Sequence, residues 1–226
     1  RLETLIDKRA LKKFRERAMN NSEATTRGTA ENDDIYFQNT EVRNKYYDDA
    51  VDNVVYYMNK INTITKRDYK LFNYYGHEDA TDIIVAMGSV CGAIEETVYR
   101  LNKEGKKLGL VKVHLYRPFS VSHLLDELPK SVKRIAVLDR TKEVGSSGEP
   151  LYLDVVNALK DTDIKVIGGR YGLSSKNTTP AMIKAVYDNL QGDMKNGFTI
   201  GINDDVTNLS LDYDSSFRVN NNNYQM

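Results

Sequence analysis

The sequence predicts an α/β protein: a three-layer α/β/α sandwich on a mostly parallel sheet, preceded by a helical segment. Three observations carry this. Beyond residue 80, short apolar runs alternate with amphipathic stretches, strand then helix, several times in succession. The run Asp82-Ile83-Ile84-Val85-Ala86-Met87 is continuously apolar after its first residue, which marks a strand buried on both faces. Upstream, Tyr47, Val51, Val54, Met58 and Ile61 recur in steps of three and four, the spacing of one helix face.

The elements follow in order. Leu2 to Met19 keeps Leu2, Leu5, Ile6, Leu11, Phe14 and Met19 among many Lys and Arg, a helix or two short ones with a basic face. The block Lys8, Arg9, Lys12, Lys13, Arg15 has the ordinary reading of a solvated helix face. Asn20-Asn21-Ser22 breaks the pattern, and a polar loop with Arg27-Gly28-Thr29-Ala30 follows. A long helix is expected over 40–65, with the Thr40 hydroxyl capping its first turn. Its tyrosines (Tyr46, Tyr47, Tyr56, Tyr57) fit core and rim positions better than a stacking platform for bases.

A short strand is expected over 69–72 and a connector over 74–77. The strand at 82–87 closes on Gly88-Ser89, and Val90, Ala93, Ile94, Val98 and Leu101 give a helical face. Strands at 110–116, 134–139 and 164–167 alternate with helices at 122–128 and 151–159. Thr179 and Pro180 supply an N-cap and first-turn proline for a helix running to Leu190. A last strand is expected at 198–202, and the tail through Asn220 to Asn223 reads as disordered.

Composition narrows function. The chain has 226 residues, 40% hydrophobic and 28% charged, with 32 basic against 32 acidic side chains. A net charge of zero gives no global field for nucleic acid or an anionic membrane. No apolar stretch approaches the roughly 18 residues of a membrane span. Cys91 is the only cysteine, so neither an internal disulfide nor a cluster held by several thiolates is available. His77, His114 and His123 match no zinc spacing. One free cysteine and no secretory leader point to a cytoplasmic setting. Beginning at Arg1 within a helical pattern, the chain reads as excised from something larger.

Carboxyl ends of parallel strands are where open α/β sheets bind ligands. Neither GxGxxG nor GxxxxGK[ST] occurs. Gly88-Ser89-Val90-Cys91-Gly92 suits either an anion cradle or an ordinary tight turn. The 140–150 loop carries Arg140, Lys142, Gly145, Gly148 and Glu149, a polar rim fit for a ligand or interface, or a long capping loop. The 168–176 loop, with Arg170 and Lys176, is similar and shares its edge. These seven residues are the docking candidates. No catalytic, cofactor-binding or metal-binding set is complete, and Cys91 has no local partner and a buried helix position.

The same segments resemble one family. Arg27 to Gln38 is similar to the R-G-T-A-x-N-x-D-x-Y-F-Q segment of pyruvate:ferredoxin (flavodoxin) oxidoreductases. Ile84 to Cys91, Lys112 to Ser120, Val137 to Glu143, Gly148 to Tyr152, Gly168 to Gly172 and Gly201 to Leu211 fit it as well, in family order. The resemblance spans roughly residues 8 to 211. It implies a segment of a large multidomain enzyme that oxidises pyruvate to acetyl-coenzyme A and passes electrons to ferredoxin or flavodoxin. Residues 1–76 are then the tail of the first domain and a linker, and 77–195 a domain similar to the carboxyl-terminal domain of transketolase. Residues 196–226 open the next domain, associated with coenzyme A access, and end in the tail. Thiamine diphosphate, Mg2+ and 4Fe–4S clusters would belong to the intact enzyme, with coenzyme A as co-substrate and none of them held in this segment. Partners implied are the remaining domains of the same polypeptide, the electron carrier and a second subunit in a homodimer, without nucleic acid or membrane. A stand-alone α/β module for a nucleotide or acyl carrier, or the equivalent subunit of another 2-oxoacid oxidoreductase, is the alternative.

Overall fold

The computed structural model describes residues 2–22, 24, 28 and 30–219. Arg27, Thr29 and the tail from Asn220 lie outside them. The chain divides into two compact units, Arg1–Tyr69 and Lys70–Met226.

The first unit is helical. A 3-10 turn, Leu2–Leu5, leads into α1 (Lys8–Glu16), whose N-cap Asp7 accepts from the amides of Arg9 and Ala10. The helix expected over 40–65 is present as α3 (Asn44–Thr65), while residues 40–42 close a separate helix, α2 (Asp33–Val42), which ends at Arg43. Thr40 therefore does not cap; it lies inside α2 and donates to the Tyr36 carbonyl. The cap of α2 is Asn32, whose side chain accepts from the Ile35 amide. Along α3, Val51, Val54, Met58 and Ile61 are half-buried while Tyr46, Tyr47, Tyr56 and Tyr57 are exposed. No described residue of 3–69 is buried.

The second unit holds one six-stranded sheet with order β1-β3-β2-β4-β5-β6. Its strands are β1 (Phe72–Gly76), β2 (Asp82–Met87), β3 (Leu108–Val113), β4 (Arg134–Asp139), β5 (Lys165–Arg170) and β6 (Phe198–Thr199). Its helices are α4 (Val90–Lys103), α5 (Val121–Glu127), α6 (Pro150–Ala158) and α7 (Pro180–Gln191). All strand pairs are parallel except β1 with β3. The expected connector at 74–77 is thus mostly strand, since Tyr74-Tyr75-Gly76 complete the antiparallel edge.

Alternation along the central strands feeds two helical layers. Ile84 and Ala86 of β2 and Ala136 and Leu138 of β4 join one core cluster with Ile94 and Val98 of α4 and Ile183, Val186 and Tyr187 of α7. Ile83, Val85, Ile135 and Val137 are fully buried outside that cluster. Burial on both faces is what the continuous apolar runs encode. At the amino edge, buried Asp82 is held by Arg134 and accepts from Gln191 Nε2 at 3.2 Å.

The strand at the head of the segment expected to open a further domain joins this sheet. β6 pairs with β5 through Gly169↔Phe198 and Arg170↔Thr199. The physical reason is space: a Cβ on Gly169 would fall within the Phe198 ring, so the glycine lets that ring lie on β5.

Candidate functional site

The carboxyl edge gathers the loops that follow β2, β4 and β5, as the parallel register requires. Asp139, the last residue of β4, is only 5% exposed, and its two carboxylate oxygens accept from the amides of Leu151 and Tyr152, each at 3.0 Å. It occupies the amino terminus of α6, where unpaired amides favour an anion. Burial nevertheless pushes its carboxyl above the usual aspartate range, against the opposing pull of those amides.

Glu149 is the second buried carboxylate, 4% exposed. One oxygen accepts from the Glu143 amide at 2.6 Å; the other lies 3.1 Å from Arg170 Nη1 and 3.7 Å from Lys142 Nζ. Arg170 also donates to the Gly197 carbonyl at 2.9 Å. Glu149 therefore ties its own loop, the end of β5 and the entry to β6 into one knot. Gly168 completes it, its amide donating to Asn196 Oδ1 at 2.8 Å.

The docking candidates separate on this geometry. Glu149 and Arg170 are brought together as internal partners, with Arg170's side chain only 14% exposed. Gly148 is a packing position, because a Cβ there would meet the Tyr152 ring at 2.5 Å. Gly145 has φ +82 and open space around it, serving the loop's turn. Arg140, Lys142 and Lys176 are the exposed cations. Arg140 Nε donates to the Gly172 carbonyl at 2.8 Å, linking the two loops.

Two larger concavities open on this edge. One, of about 340 Å³, lies at the ends of β2 and β4, where the strand order reverses; Gly88, Ser89, Asp139 and Arg140 line it. Gly88 has φ +78, as the tight entry to α4 demands. The other, of about 630 Å³, lies beyond β5 and β6, with Lys142, Arg170 and Lys176 around Tyr171, Ile200 and Leu209. Sequence reasoning missed Asp139 and the contribution of 199–209. An aspartate closing an apolar strand is the signal for the first; nothing local signals the second.

Cys91 is buried, its Sγ lies 3.6 Å from the Ala86 carbonyl, and burial pushes the thiol up to about 11. Among the described residues no group of three or more His, Cys, Asp or Glu side chains could hold a metal ion. No described helix is long and apolar enough to cross a membrane. The edge offers exposed cations and loop amides through which it can bind and be bound.

Comparison with known proteins agrees with the sequence motifs. Residues 80–183 match the family described as pyruvate:ferredoxin oxidoreductase core domain II. The chain is 51% identical over 210 residues to a pyruvate-flavodoxin oxidoreductase of Enterobacter agglomerans, covering 92% of this chain and 18% of that protein. It is 54% identical over 211 residues to the pyruvate:ferredoxin oxidoreductase of Moorella thermoacetica, again covering 92% of this chain and 18% of the relative. A pyruvate-flavodoxin oxidoreductase of Nostoc sp. is 49% identical over 222 residues, which cover 96% of this chain and 55% of that protein. The chain thus spans under a fifth of the length of the first two. Among solved structures, a 2-oxoglutarate:ferredoxin oxidoreductase from Magnetococcus marinus with 2-oxoglutarate, coenzyme A and succinyl-CoA bound aligns with TM-score 0.39 and 25% identity, over 59% of this chain and 22% of that one.

Proposed function

We infer that this chain, a segment of the pyruvate:ferredoxin/flavodoxin oxidoreductase family, is a non-catalytic scaffold and interface segment of a larger enzyme. The observation that carries this is the roughly half-identical match running through more than nine-tenths of the chain in relatives several times its length. The edge geometry supports it, because the buried charges at the end of β4 and in the following loop are spent on internal partners.

In this reading residues 1–76 trail from a preceding domain, 77–195 form the transketolase C-terminal-like domain, and 196–226 lead into a following one. The intact enzyme would oxidatively decarboxylate pyruvate to acetyl-coenzyme A. Thiamine diphosphate and Mg2+ would supply the carbanion chemistry and 4Fe–4S clusters the electron path, all held by other domains. Ferredoxin or flavodoxin would take the electrons, a homodimer is the expected assembly, and the setting is cytoplasmic. Of the docking candidates, Arg140, Lys142 and Lys176 are the contact residues. Gly145, Gly148, Glu149 and Arg170 shape the edge that presents them.

The test is direct. Given pyruvate, thiamine diphosphate, Mg2+, coenzyme A and an artificial electron acceptor, the isolated chain should reduce no acceptor above a boiled control. Measurable pyruvate-dependent reduction would overturn the scaffold reading.

A further inference from the structure

The concavity beyond β5 and β6 has a cationic lining in a chain of zero net charge. Among its lining residues are Lys142, Arg170 and Lys176, and not one aspartate or glutamate. Glu149, behind the wall, offsets a single charge while standing between two of these cations. Lys176 has no ion-pair partner among the described residues, and its stem runs beside Gly201, 3.9 Å from where a Cβ would stand. The remaining lining is largely apolar, with Leu173 and Ile202 left 43% and 47% exposed. Thr199, which also lines it, has a buried hydroxyl oxygen with no hydrogen-bond partner among the described residues.

Size and position agree. About 630 Å³ falls within the roughly 300–1,000 Å³ of small-molecule pockets. The carboxyl ends of parallel strands are the edge at which α/β sheets take ligands. A phosphate monoester carries close to two negative charges near neutral pH and accepts several hydrogen bonds, matching a rim that offers two exposed ammonium groups, with the Arg170 guanidinium adding positive charge behind them. A single carboxylate would leave part of that rim unanswered.

We propose that the cleft beyond β5 and β6 binds a small phosphate monoester with an apolar portion, its phosphate on Lys176 and Lys142 and its apolar part on Tyr171, Ile200 and Leu209. This goes beyond the scaffold reading and does not depend on it.

The experiment is an amide NMR titration of the whole 226-residue chain with n-hexyl phosphate and, separately, inorganic phosphate. Saturable shifts are expected at Tyr171, Gly172, Ile200 and Gly201, with hexyl phosphate binding about tenfold more tightly than phosphate. Lys176→Glu should weaken hexyl phosphate by about tenfold or more, while Lys106→Glu, outside the cleft, should leave it unchanged. Lys176→Met keeps the stem and removes the charge, and serves where glutamate disturbs the loop. Shifts spread over the lysines of α1, equal affinity for the two probes, or binding indifferent to both Lys176 variants would each overturn the proposal. A failed titration leaves the scaffold reading standing, since that is decided by pyruvate-dependent acceptor reduction.

Discussion

Asp139 joins a strand to a helix two turns of loop away, and does so at an electrostatic cost. Burial raises its carboxyl above the usual range even though two amides pull the other way. The folded state therefore keeps a proton to higher pH than the unfolded chain does. Between the usual value and the raised one, the folded state binds more protons, so stability grows as pH falls through that window. The expected outcome is that the parent's Tm, measured against Asp139→Asn, improves as pH is lowered from 7 toward the ordinary carboxylate range. The opposite slope would show that the amides outweigh desolvation. Glu149 teaches what local sequence conceals. In the chain it looks like any wet loop carboxylate, because its partner Arg170 is 21 positions away and meets it only after β4 and β5 pair. Arg140, Lys142 and Lys176 were legible as exposed cations, since Lys and Arg side chains stay mostly exposed unless a partner draws them in, as Glu149 does Arg170.

Among the elements, β2 and β4 were readable because burial on two faces writes an unbroken apolar run. β1 was not: as an antiparallel edge strand it is only partly covered, and its tyrosines and glycine carry no run to read. β6 is two residues long and exists because Gly169 admits the Phe198 ring, a relation between distant positions. Gly169→Ala should accordingly cost about 1–3 kcal/mol as an overpacking change. Its loss should appear as faster amide exchange at 197–200, with the amides of β2 protected as before. Val137, at 0% exposure in β4, gives the contrasting test. Val137→Asp places an unpaired carboxylate between two helical layers and should cost several kcal/mol. Ser146→Asp, in the exposed part of the following loop, should move stability by no more than about 0.5 kcal/mol in the same thermal melt.

At the scale of the molecule, the apolar residues of the two units have different fates. Lys70–Met226 encloses a core, whereas in Arg1–Tyr69 no described residue is buried and Tyr36, Phe37, Tyr46 and Tyr47 are each more than half exposed. Expressed separately, 70–226 should melt in one cooperative transition. Residues 1–69 should lose helix gradually on heating, because helices without a packed face are marginal in water. Circular dichroism of the two pieces decides it; a sharp melt for 1–69 would mean that its helices form a core of their own. The buried tyrosines carry a spectroscopic consequence. The chain has 15 tyrosines and no tryptophan, so phenols dominate its near-ultraviolet absorbance. Tyr74 and Tyr171 are pushed up to about 12, and Tyr187, whose hydroxyl donates to the Gly109 carbonyl inside the core, well above 10. Their phenols stay protonated after the exposed ones have ionised, so the folded form binds extra protons above pH ~10 and loses stability as alkalinity rises. An alkaline titration followed at the phenolate band should therefore proceed in two waves. The second would arrive together with the loss of helix signal, making the interior its own unfolding dye.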